Sequence, residues 1–80
     1  MSASASETKP LPPYPDGLND KRADWAYTGL RAFQRITGSD DEDMVSDMLA
    51  DIRHWCDRNG QDFERELARG WEAYEEETKG

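Results

Sequence analysis

The sequence predicts an all-α fold, a compact three-helix bundle with an extended Pro-rich N-terminal arm. Three observations carry this. Apolar residues recur at helical spacing from Asn19 onward, glycine-centred stop signals divide that stretch twice, and Pro10, Pro12, Pro13 and Pro15 crowd six positions before it. The chain has 80 residues and eight aromatics, too many for a wholly disordered acidic chain, so part of it is expected to fold. One cysteine excludes an internal disulfide framework and a cysteine-only zinc site.

The arm is assigned to residues 1–18. Proline fixes its own φ and pushes the preceding residue out of the helical region, so the stretch through Pro15 reads as extended or disordered. It carries two overlapping P-x-x-P patterns, which four close prolines produce by chance, and it contains no arginine, unlike a transit peptide. A spacer, or an arm laying Leu11 and Tyr14 across the first helix, is the expectation.

Three helices follow, at about 19–37, 40–58 and 62–77. Gly38 ends the first. Ser39 with Glu42 three residues later has the form of a capping box, which would start the second helix near residue 40. Asn59-Gly60 ends the second, with Asp62 placed to cap the third. Loops this short make consecutive helices neighbours, antiparallel or at a steep angle.

At 100° per residue each helix shows an apolar face. Met44, Val45, Met48, Leu49, Ile52, Trp55 and Cys56 fall within one arc of the second helix, expected to be its core face. Phe63, Leu67, Trp71 and Tyr74 form a narrower stripe on the third. Gly70 lies beside it, where a missing side chain admits a closely approaching helix at about 1 kcal/mol of helix propensity. The first helix is apolar over more than half its circumference, through Ala23, Trp25, Ala26, Leu30, Ala32, Phe33 and Ile36. Two partner helices need less, so the surplus near Trp25, Ala32 and Ile36 is expected to meet the arm, a second copy or a foreign partner.

Charge divides the chain. Residues 1–39 hold five bases and four acids, whereas residues 40–80 hold five bases and fourteen acids, so the net −8 belongs to the second and third helices. A sequence pI near 4.4 argues against direct binding of nucleic acid or an anionic membrane, which rests on clustered Lys and Arg. No apolar run reaches the roughly 18–20 residues of a membrane span, and the start lacks a signal-peptide pattern, so a cytoplasmic protein is expected. On the second helix Asp43, Asp47 and Asp51 recur at i, i+4 and i+8. Like charges at that spacing repel by a few tenths of a kcal/mol, so the row invites a positive counterpart. Arg31 and Arg35 of the first helix are the internal candidates, and a cationic partner is the external one. Glu72, Glu75, Glu76 and Glu77 crowd the end of the third helix, where the dipole disfavours them and fraying is expected.

Catalytic sets are missing from the pattern. There is no glycine-rich phosphate loop, no Ser-His-acid set and no cysteine cluster, and His54 and Cys56 lie about 160° apart on the wheel. The magnesium ligands of all-α nucleotide pyrophosphohydrolases have no counterpart, since the second helix contains no Glu-x-x-Asp. The expectation is a non-enzymatic protein without metal or cofactor.

The stretch from Ser46 to Gly60, including Ile52-Arg53-His54-Trp55-Cys56-Asp57-Arg58, then Asp62-Phe63-Glu64 and Tyr74-Glu75-Glu76-Glu77-Thr78, resembles short uncharacterised acidic helical proteins of bacterial phages and plasmids. That resemblance implies a mobile-element setting, where small acidic proteins, anti-CRISPR proteins among them, block host defence. The expected function is inhibition by binding the basic, nucleic-acid-holding groove of a defence complex. Asp43, Asp47, Asp51, Glu72 and Glu76 would imitate phosphates, with Trp25 as apolar anchor. The alternative is a homodimeric structural or regulatory module, antitoxin-like, joined through its first helix.

Overall fold

The structure, a computed structural model, describes residues 18–79. The arm expected over 1–18, with Leu11 and Tyr14, lies outside the described residues up to position 17. The described chain is all-α, with α1 (Asn19–Thr37), α2 (Met44–Arg58) and α3 (Phe63–Glu77) in order. No described helix is long and apolar enough to cross a membrane.

The stops work through backbone handedness. Gly38 takes φ 77° and its N–H donates to the Gln34 carbonyl at 2.8 Å, closing α1. Gly60 takes φ 68°, and the Gln61 N–H reaches back to the Cys56 carbonyl at 3.0 Å, closing α2. Asp62 caps α3, its carboxylate accepting from the Arg65 N–H at 3.1 Å.

α2 starts at Met44, later than the capping-box pattern suggests. Ser39 caps nothing, because its hydroxyl donates to Asp47 Oδ2 at 2.6 Å, a charge-assisted bond. Asp40 takes over locally. Its carboxylate accepts the Asp43 N–H at 3.0 Å, and its carbonyl accepts the same N–H at 3.2 Å, so residues 40–43 form a turn ahead of the helix.

Polar ties place the helices by their ends. Arg31 Nη1 of α1 meets Asp41 Oδ1 before α2 at 3.1 Å, and Arg53 Nη1 of α2 meets Glu64 Oε2 of α3 at 2.8 Å. The Arg53 guanidinium also lies over the Phe63 ring, 5.7 Å from its centroid. Asn19 Nδ2 donates to the Glu77 carbonyl at 2.9 Å, and Arg22 Nε lies 3.5 Å from Glu77 Oε2. The start of α1 therefore touches the end of α3. An up-down-up bundle would separate these points by the length of α3, about 22 Å for fifteen residues. The steep-angle arrangement is thus the one adopted, with the helices meeting at three corners.

The same ties correct the expected fraying of α3. Glu77 is held by Asn19 and Arg22, and the Thr78 N–H donates to the carbonyls of Tyr74 and Glu75 at 3.1 and 3.3 Å. These bonds satisfy carbonyls that a frayed end would give to water.

Corner contacts cover little apolar surface. Cys56 alone is buried among the described hydrophobic residues, at 3% exposure, while Leu30, Phe33, Met44, Met48 and Phe63 are half-buried. The expected core face of α2 is covered only in part. Val45, Leu49, Ile52 and Trp55 remain 40–57% exposed, because α1 and α3 diverge from α2 instead of running along it.

Candidate partner-binding surface

α2 builds the surface through its periodicity. Positions 43, 47, 51 and 55 fall on one row, rising about 6 Å at each step. That row reads Asp43, Asp47, Asp51 and then Trp55, all exposed, with the indole at 57%. Beside it the junction of α1 and α2 leaves an open recess of about 230 Å³ lined by Phe33, Thr37, Ser39, Asp47, Ala50 and Asp51.

The internal counterions lie elsewhere. Arg31 donates through Nε to the Tyr27 hydroxyl at 2.7 Å and through Nη1 to Gln34 Oε1 at 2.7 Å and Asp41 Oδ1 at 3.1 Å. Gln34 Nε2 adds a second donor to Asp41 Oδ1 at 2.8 Å. The turn acid Asp41 thus receives the arginine that the row lacks. Among the described residues no ion pair involves Asp43, Asp47, Asp51 or Arg35. Among the described residues the neutral Ser39 hydroxyl is the one side-chain donor to the Asp47 carboxylate, which leaves its charge in place.

Two carboxyl groups register this division. The Gln34 hydrogen bond, followed by the Arg31 charge, holds Asp41 below the usual carboxylate range. Asp43 moves the other way. The negative charge of Asp40 is the largest cause, then partial loss of hydration, then the charge of Asp47. A lowered acid contributes stability that is present above its unfolded pKa and lost as pH falls through the folded value. A raised acid contributes the reverse, most favourable below its unfolded pKa and lost as pH rises through the folded one. Thermal melts of single variants are therefore expected to split at pH 7, with Asp41→Asn less stable and Asp43→Asn slightly more stable than the parent. Both differences should shrink as the pH falls below the carboxylate range. Equal melting temperatures for the two variants at pH 7 would contradict this arrangement.

The remaining predicted residues do not join the row. Glu76 is engaged by Lys79 at 2.9 Å, which raises the lysine pKa. Glu72 is exposed on α3 and enters no ion pair among the described residues. Trp25 is 64% exposed on α1. His54 is exposed, its carbonyl accepting from Arg58 Nη1 at 3.1 Å, and no hydrogen bond among the described residues joins it to Asp51. Among the described residues no three His, Cys, Asp or Glu side chains converge to hold a metal ion. The residue that sequence reasoning missed is Trp55, assigned to the core by its apolar character. Its spacing of four from Asp51 already placed it at the border of the acidic row.

Compared with protein-family models, curated proteins and solved structures, the chain matches none.

Proposed function

We propose that this protein is a non-enzymatic acidic inhibitor that occupies the basic, nucleic-acid-holding groove of a host defence complex, in the manner of anti-CRISPR proteins. The observation that supports it is the row Asp43, Asp47 and Asp51, left without a guanidinium partner while Arg31 is engaged by Asp41. Three like charges held in line by one helix present a rigid anionic edge. Rigidity matters because a groove shaped for phosphates rewards charges that need no ordering on binding. Trp55, half in water at the end of the row, supplies the aromatic contact that interfaces concentrate at their centres. Net charge of −8 adds long-range attraction to a basic partner, so association should be fast at low salt and slow steeply as salt rises.

The test is competition. A purified guide-loaded CRISPR effector, incubated with the protein and then with labelled target DNA, is expected to lose DNA binding in a salt-sensitive way. Undiminished DNA binding across a panel of such effectors, with no co-elution of protein and effector, would overturn the reading.

A further inference from the structure

Two apolar stripes stand apart from the acidic row, one on α1, where Gly29 borders the recess shared with Val45 and Leu49 of α2, and one on α3. On α1, Trp25, Gly29, Ala32 and Ile36 follow one another at spacings of four, three and four, which aligns them in one stripe. Trp25 is 64% and Ile36 83% exposed. On α3, Leu67, Gly70, Trp71 and Tyr74 line an open apolar depression, with Trp71 and Tyr74 stacked at 5.4 Å between centroids. Each stripe carries a mid-helix glycine at a helix-propensity cost of about 1 kcal/mol. A glycine there makes sense where another backbone comes close. Yet a Cβ added at Gly29 or Gly70 would meet nothing within 4 Å, so the chain does not itself supply that close neighbour.

Charge says what kind of neighbour fits. Lys21, Asp24 and Arg35 border the α1 stripe on the wheel as a net positive edge, and no ion pair among the described residues engages them. Glu66, which holds Arg69 at 3.1 Å, and Glu75 flank the α3 stripe. An α1 stripe laid on another α1 stripe would oppose two net positive edges, whereas α1 on α3 sets that edge against Glu75. Within one copy the start of α1 meets the end of α3, where Asn19 and Arg22 reach Glu77. We propose that two copies of this chain pair reciprocally, α1 of each lying on α3 of the other, with Gly29 and Gly70 near the crossings and Trp25 seated in the depression around Gly70.

The area suffices. Trp25, Ile36, Leu67, Trp71 and Tyr74, at 45–83% exposure, offer on the order of 600 Å² of side-chain surface per copy. Flanking charged stems bring this near the roughly 800 Å² per partner of a stable interface. A two-fold arrangement uses both stripes of each copy and closes, leaving none to propagate. It also leaves both Asp43–Asp47–Asp51 rows outside the contact, so the pairing stands independently of the inhibitor reading.

Sedimentation of the full chain at about 100 µM, a concentration far above a micromolar dissociation constant, is expected to give a dimer. Gly70→Leu is the discriminating variant, because it removes a helix-weakening glycine yet blocks close approach. It should retain or gain helicity by circular dichroism while weakening dimerisation at least tenfold. Trp25→Glu should do the same to dimerisation, whereas Asp43→Asn, Asp47→Asn and Asp51→Asn together should leave it unchanged. A monomeric parent chain, or a dimer that survives both Gly70→Leu and Trp25→Glu, would overturn the proposal.

Discussion

Replacing Gly38 and Gly60 together by alanine is expected to bring the folded and unfolded chain close to balance at 25 °C. Both glycines sit in the left-handed region, at φ 77° and 68°. A side chain there costs about 1–2 kcal/mol per position through its own Cβ. An added Cβ meets nothing within 4 Å at either site, so the cost is purely one of backbone conformation. A domain of this size rarely nets more than about 3–5 kcal/mol, and a core in which Cys56 alone is buried among the described hydrophobic residues stands at the low end. The double substitution thus consumes most of the available stability. Gly38→Asn is the control, since asparagine tolerates the left-handed region, and it should lose clearly less than Gly38→Ala in a urea melt. Equal losses for the two would mean that the turn is held by something other than handedness.

The second large effect concerns recognition. Asp43→Asn, Asp47→Asn and Asp51→Asn combined preserve shape and remove three charges from one edge. Close charge pairs across interfaces couple by about 1.5 kcal/mol or more each, so losing three weakens capture of a basic groove on the order of a thousandfold. The fold should respond little. Relief of i, i+4 repulsion, a few tenths of a kcal/mol per pair, is offset by the weakened Ser39–Asp47 bond and by the loss of acids at the start of α2. A triple variant that binds far less yet melts near the parent separates recognition from folding within one molecule. If it competes with DNA as well as the parent, the row is not the recognition element.

Local signals were legible in the sequence because they act over a few residues. Gly38, Gly60 and Asp62 do what their neighbours in the chain require of them, whatever the rest of the fold does. Ser39 shows where such reasoning stops. Its capping box is a correct local pattern, but Asp47, eight residues on, offers a stronger acceptor and takes the hydroxyl away. Long-range covering was the least legible quantity. Periodicity finds the apolar arc of α2 and says nothing about how much of it α1 and α3 cover. That depends on crossing angles, which the tie between Asn19 and Glu77 reveals only in three dimensions. Trp55 was misplaced for this reason. Periodicity also could not apportion Arg31 between the row and Asp41, since it carries no distances between one helix and the next.

Carboxyl titration by NMR tests the central claim most directly, because it reads the charge environment of each aspartate in the folded chain. Asp43 should titrate above the usual carboxylate range and Asp41 below it. Arg31→Gln should move Asp41 upward while leaving Asp43 in place. An Asp43 carboxyl found below its ordinary value, and rising when Arg31 or Arg35 is replaced by glutamine, would show that the molecule's own arginines already occupy the row.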